Sequence, residues 1–266
     1  VPIDIQLLAF FCGHFLGDFV FQSDRLVELK SKHTKWMIFH VVQVSLLTWI
    51  LLGNFSAWWI AGILFFLHLL VDYAKIMVSS RGQASECKAY NSTSSSIENN
   101  GGIETKKSHE SRNFDWLIGD QLLHIFTLVV LWYCLIHFNV TVCQENRWEL
   151  LFGLQYKKGL LLLTGLAIGI SGVGVVLKYQ MSEFAVELGE EVKQGLPKGG
   201  KTIGVLERLL VFMFVLAGKP EGVGFVIAAK SVFRIGELTN KQDKNHAEYI
   251  MIGTLRSFTY ALAIAF

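Results

Sequence analysis

The sequence is poor in the residues that keep a protein in water. Charged side chains make up 17% of the chain, against roughly a quarter in soluble domains, and the shortfall argues against a soluble protein. Proline occurs three times, which excludes a proline-rich linker protein. The four cysteines, Cys12, Cys87, Cys134 and Cys143, form no CxxC pair, so neither a disulfide framework nor a zinc ribbon is expected. Net charge is only +2. Without a basic excess, nucleic acid is not an expected partner. The first apolar run lacks a basic leader region and carries His14 and Asp18 in its body, so it reads as a membrane span and not as a cleaved signal peptide.

What is present is apolar sequence in long blocks. Hydrophobic residues make up 52% of the chain and mean hydropathy is +0.42. Runs near 5–22, 36–53, 56–78, 114–138, 159–177, 203–218, 222–235 and 248–266 predict an all-α, polytopic integral membrane helical bundle with about eight transmembrane segments. The run 222–235 is short for a crossing of about 20 residues and fits a re-entrant or broken helix. The polar, low-complexity stretch 79–113 predicts a mobile loop. The chain then divides into a four-helix unit over 1–138 and a C-terminal group of helices over 139–266.

Basic residues fall in alternate connections. Arg25, Lys30, Lys32 and Lys35 follow the first span, none lies in 53–55, and Arg81, Lys88, Lys106, Lys107 and Arg112 follow the third. The positive-inside rule then predicts an outward N-terminus and a cytoplasmic 79–113 segment.

Against this background the ionisable residues inside spans stand out, because each costs about 2.5–3.5 kcal/mol at a helix centre on insertion scales. Span one contains His14 and Asp18, span two opens with His40, span three contains His68, Asp72 and Lys75, and span four contains Asp120 and His124. Three of these are His–Asp pairs at i,i+4 spacing, one helical turn apart on one face; random placement of eight His and seven Asp gives roughly 0.4 such pairs. The predicted topology puts all of them at the cytoplasmic end of their helices. A single pair would read as a hydrogen-bonded brace between helices, worth about 0.6–2 kcal/mol. Three pairs plus His40 at one depth favour metal.

Neutral imidazole and carboxylate suit zinc best, with manganese or iron as alternatives. The predicted ligands of one or two divalent ions are His14, Asp18, His40, His68, Asp72, Asp120 and His124. Asp18, Asp72 and Asp120 take the catalytic part as bridging or water-activating carboxylates, and Lys75 pairs with a substrate anion. Gln22 and Gln121 orient ligands or substrate. A second polar set lies in the C-terminal half: Glu207, Arg208, Lys230, Arg234 and Glu248. It reads either as a cradle for an anionic substrate beside the metal or as snorkelling and ion pairing at helix ends. The glycine-rich run Gly169-Ile170-Ser171-Gly172-Val173-Gly174 follows no strand, so close helix packing is expected there and not nucleotide binding. His33, His109, His137 and His246 read as surface residues.

The runs GHFLGDFVFQSDRLVELK, HLLVDYAK and DQLLHI, with GVLERLLVF, IAAKSVFRIGEL and AEYIMIGTLRS toward the C-terminus, resemble a bacterial polytopic membrane family, domain of unknown function 3307. The resemblance covers most of the chain outside 79–113 and 139–200. It implies a bacterial inner-membrane protein with a shared site at His14, Asp18, Gln22, His68, Asp72, Lys75, Asp120, Gln121 and His124. It brings no activity with it. The repeated HxxxD pattern is also similar to predicted inner-membrane metal-dependent hydrolases and, more loosely, to all-helical zinc phospholipases and nucleases.

Three functions compete at this point. One is a membrane-embedded hydrolase acting on a phosphoester or lipid-linked phosphate at the cytoplasmic leaflet, with membrane lipid as its partner. The second is a divalent metal transporter, whose site is expected near the midplane with access from both faces. The third is a non-catalytic membrane scaffold. A di-iron oxygenase is disfavoured, since it normally carries Glu and paired His motifs and no HxxHH or HxxxH occurs.

Overall fold

The computed structural model describes residues 5–93, 101–138, 146–188, 198–232 and 241–266, and every element among them is helical. In chain order these are α1 (Ile5–Phe15), a wide π-type turn (Leu16–Val20), α2 (Asp24–Lys32), α3 (Thr34–Leu52), a short 3₁₀ turn (Phe55–Ala57), α4 (Trp58–Thr93) and α5 (Gly101–His137). There follow α6 (Arg147–Phe152), α7 (Leu154–Leu166), a second π-type turn (Ala167–Gly172), α8 (Val173–Gln180), α9 (Ser182–Leu188), α10 (Gly199–Leu216), α11 (Gly222–Val232) and α12 (Lys241–Ala265). Helix is the form that lets apolar sequence satisfy its own backbone away from water.

Four stretches are long and apolar enough to cross a bilayer: Thr34–Leu52, Phe55–Val78, Phe114–His137 and Leu154–Gln180. A fifth is added if the bent pair Ile5–Val20 and Asp24–Lys32 counts as one span. The expected eight is not confirmed: four or five are found among the described residues. Charge and length account for the difference. Helix α10 carries Lys201, Glu207 and Arg208 within its apolar run, and α12 carries Glu248 and Arg256. Helix α11 has 11 residues, about 16 Å of rise against a hydrocarbon core of about 30 Å.

Two further expectations change. The first apolar run does not end in a loop: it turns by 91° into a second helix. Ser23 starts α2, its hydroxyl accepting from the Leu26 amide at 3.2 Å, an ordinary N-cap. The stretch 79–113, expected as a mobile loop, is helical over 79–93 and 101–113. It contains no proline, and a helix already nucleated in an adjoining span extends at little cost per residue. Residues 94–100 lie outside the described set.

By proximity the chain forms two units, residues 1–97 with 115–167 and residues 98–114 with 168–266. This differs from a division at 138/139 because α7 packs on α1: Leu160 is buried with Phe10, Cys12 and Ile60 in the core of the first unit. In that unit α1 lies very close to α3. A Cβ on Gly17 would sit 2.5 Å from Val44 Cγ2, and one on Gly13 would run into Thr48. The Gly13-xxx-Gly17 pair is thus a small-residue seam of the kind that lets membrane helices approach, and it carries His14 and Asp18 against α3. The second unit has its own core, built from Val211, Val223, Phe258 and Ala261.

Candidate metal centre

Helices α1, α3, α4 and α5 bring polar groups together in the first unit. His14 closes α1, and Asp18 rides on the following wide turn, where the Phe21 amide reaches back to the Leu16 carbonyl at 2.9 Å. Such turns often re-aim side chains at functional sites. His40 lies in the second turn of α3. His68 and Asp72 lie one turn apart on α4, as do Asp120 and His124 on α5. All seven are buried; His40 is 0% and Asp72 1% exposed.

Four donor atoms converge. His40 Nε2 lies 3.3 Å from Asp18 Oδ1 and 3.3 Å from His68 Nε2. His68 Nε2 is 3.6 Å from Asp18 Oδ1, and both imidazole nitrogens are 3.9 Å from Asp72 Oδ2. Donors around a tetrahedral ion with bonds of about 2.0–2.1 Å stand about 3.3–3.4 Å apart. These five edges are therefore close to those of a tetrahedral site before any ion draws the ligands in. Asp18 Oδ1 makes no hydrogen bond in spite of these neighbours, and His14 Nδ1 and Nε2, His40 Nδ1, Asp120 Oδ1 and His124 Nε2 are also buried without a partner. Buried polar atoms are nearly always satisfied. A buried cluster of such atoms beside convergent ligand sets fits a cation site.

Three overlapping ligand sets have all their atoms within 4.8 Å: His14, Asp18 and His68; His40, His68 and Asp72; and Asp72, Asp120 and His124. His68 and Asp72 each belong to two sets. The imidazoles also contact one another, with His14 stacked on His124 at 4.9 Å and His68 4.3 Å from His124 between ring centroids. Crowding of this sort is tolerable for neutral rings and unfavourable for imidazolium.

Two lysines supply positive charge. Lys75 Nζ lies 2.7 Å from Asp120 Oδ2. Lys30 lies 3.2 and 3.3 Å from the two oxygens of Asp72, and sequence reasoning missed it. It sits among Arg25, Lys32 and Lys35 in a stretch read as a loop. Only its i,i+4 spacing from Leu26, the other buried residue of α2, marks it. Gln121 donates to Asp18 Oδ2 at 3.2 Å. Gln22 follows the bend, and its Nε2 is buried without a partner. Beyond the cluster lies a cavity of about 20 Å³ lined by His14, His68, His124, Ser45, Thr48 and Thr127 among others, room for about one water.

The C-terminal set belongs to the second unit. Glu207 and Lys230 pair at 2.7 Å, so two of its members neutralise each other. Glu248 is exposed on α12, and Arg234 lies outside the described residues. Arg208 is buried among α8, α10 and α12. Among the histidines read as surface residues, His33 and His137 are exposed, His246 is half-buried, and the side chain of His109 lies outside the described set.

Residues 6–151 match the profile of a family described as Protein of unknown function (DUF3307). The match contains every residue of the metal cluster and both lysines; the C-terminal motifs lie beyond it. No curated protein and no solved structure matches the chain, so the likeness to metal-dependent hydrolases rests on the HxxxD motif alone.

Proposed function

The chain belongs to the DUF3307 family, by a match over more than half its length, and from that premise we propose that it is a membrane-embedded, divalent-metal-dependent hydrolase acting on a phosphoester or lipid-linked phosphate. The observation that carries this is the convergence of His40, His68, Asp18 and Asp72 at 3.3–3.9 Å, with Asp18 Oδ1 left without a hydrogen bond. Asp72 is shared with the set completed by Asp120 and His124, so it would be a ligand common to both sets if two ions bind, and the second set, with three protein ligands, would leave room for a water. Zinc is the best match to the donors. Such ions supply Lewis acidity and a water of lowered pKa. The chain's part is to set Asp72 against Lys30 and Asp120 against Lys75, and to offer the ammonium groups to a phosphate oxygen. Lys75 suits this better, since its side chain is 32% exposed where that of Lys30 is 10% exposed. The positive-inside pattern supports a reading in which this end of the helices lies at the inner leaflet of a bacterial cytoplasmic membrane, with the N-terminus outward. In that placement a lipid-linked phosphate reaches the site from the headgroup layer.

A transporter is the second reading, and one observation favours it. The four-donor set supplies all four tetrahedral positions from protein, whereas catalytic zinc sites keep one open. The small cavity beside it is lined by His14, His68 and His124 together with Val44, Leu64, Leu67 and Leu128. The deciding experiment assays purified protein for phosphoester turnover with zinc or manganese add-back, and reconstituted protein for zinc flux. Metal-dependent turnover that is lost in Asp120→Asn supports the enzyme. Flux without turnover, lost in His68→Ala, replaces it by the carrier.

A further inference from the structure

The cavity beside the metal cluster has a chemistry of its own. Its volume is about 20 Å³, and a single water needs at least about 10–15 Å³ and two to four polar partners. Its polar lining includes His14 on α1, Ser45 and Thr48 on α3, and Thr127 on α5. The tight α1–α3 seam, where a Cβ on Gly13 would run into Thr48, holds the turn that carries His14 against the helix that carries Ser45.

Two of the three hydroxyls are already committed. Thr48 Oγ1 donates to the Val44 carbonyl and Thr127 Oγ1 to the His124 carbonyl, each at 2.8 Å. Such back-bonding is common for hydroxyls in a helix, and it leaves both threonines only lone pairs to offer the cavity. Ser45 departs from that habit: its Oγ is buried without a partner, and the residue is 3% exposed. Both ring nitrogens of His14 are likewise buried without a partner. A ligating imidazole uses one nitrogen on the ion and donates the other N–H to a carboxylate, a carbonyl or a water. His124 has that support, since its Nδ1 donates to the Asp120 carbonyl at 2.9 Å and leaves Nε2 for the ion. His14 has none.

The cavity therefore offers two acceptors, one hydroxyl proton and one ring N–H. A water has two protons and two lone pairs and matches all four. A cation does not, because no carboxylate lines the cavity among the described residues. An anion does not, because the two threonines have no proton left to give it.

We propose that one ordered water occupies this cavity, donating to Thr48 and Thr127 and accepting from Ser45 and His14, and that Ser45 is a positioning residue for His14 through it. The role of Ser45 rests on the reading of His14 as a metal ligand; the water does not.

Two measurements on the full chain in detergent separate these parts. The first is X-ray radiolytic labelling of metal-free protein read by mass spectrometry, in which a bound water oxidises the side chains beside it. Leu64 and Leu128 line the cavity and are 5% and 8% exposed. They are expected to be labelled in the wild type and not in Ser45→Val, which removes the hydroxyl and fills the space. The second is zinc competition titration. Ser45→Val is expected to bind zinc about tenfold more weakly, the lower end of the range for lost outer-shell partners. In a His14→Ala background the same change is expected to cost nothing further, because the ring it supports is gone. If Ser45→Val does not fold, Ser45→Ala takes its place in both measurements with the same expected directions. Leu64 and Leu128 unlabelled in the wild type overturns the water. Unchanged zinc affinity in the Ser45 variant, or an equal loss in the His14→Ala background, overturns the positioning role. A wild type that binds no zinc is a failure of the metal reading, and the labelling then decides the water alone.

Discussion

If the α1–α3 seam sets the ligand geometry, a single methyl group in that seam should weaken metal binding without touching a ligand. Gly17→Ala supplies it. The new Cβ would lie 2.5 Å from Val44 Cγ2, where carbon atoms in ordinary contact stand about 3.5–4.0 Å apart. Either α1 retreats by about 1 Å or Val44 leaves its rotamer, at about 1–3 kcal/mol for overpacking of this kind. Asp18 is the next residue, and its Oδ1 now stands 3.3 Å from His40 Nε2. A retreat of that size opens the edge well beyond tetrahedral spacing. The expected loss of zinc affinity is about 10- to 100-fold, the range seen when the supports of metal ligands are removed. Competition titration against a chelating dye reads the affinity, with circular dichroism to confirm an intact helical fold. Val44→Ala should restore binding in the double variant, because it removes the atom that the methyl group meets. Wild-type affinity in Gly17→Ala, or no recovery in the double variant, would refute the reasoning.

Other consequences concern the lysines and protons. Lys30→Met leaves Asp72 without its counter-charge. Breaking a buried pair costs about 3–5 kcal/mol, so the zinc-free variant should melt well below wild type, and the gap should narrow on zinc loading; equal gaps in both states would show that Lys30 and the ion do not share Asp72. Lys75→Met should retain zinc and lose affinity for a phosphate-containing inhibitor by about tenfold, the scale of one charge-assisted hydrogen bond. Loss of zinc instead would make Lys75 a structural counter-ion. Zinc binding should weaken in acid, since protonated imidazole cannot ligate; calorimetry in buffers of differing ionisation enthalpy counts the protons, and an affinity that stays flat until the fold itself is lost in acid would contradict histidine ligation.

The cluster was legible because its ingredients are expensive in lipid and because a one-turn spacing puts two side chains on one face whatever the surrounding fold. His14–Asp18, His68–Asp72 and Asp120–His124 needed only the assumption of helix, and the loop charges placed His40 beside them. Lys30 was not legible, since its role depends on a 91° bend whose local sign, Ser23 as an N-cap, carries no information about direction. The Gly13–Gly17 seam was visible as spacing, but its partner residues on α3 follow only from packing. The span count goes unconfirmed where apolar runs carry charge: hydropathy over 203–218 or 248–266 does not register that Arg208 bonds to the Ile170 carbonyl and Ser257, or Arg256 to the Gln180 carbonyl. The 79–113 stretch was read as a loop from its composition, although the absence of proline left helix open to it.

The central claim is that imidazole and carboxylate groups from α1, α3, α4 and the turn after α1 share a divalent cation. X-ray absorption spectroscopy of the zinc-reconstituted full chain, beside His40→Ala and His68→Ala, tests it most directly. The account predicts a first shell of nitrogen and oxygen only, at about 2.0–2.1 Å, with imidazole scattering that falls in each variant. A protein that retains no zinc, a shell containing sulfur, or imidazole scattering unchanged in both variants would contradict it.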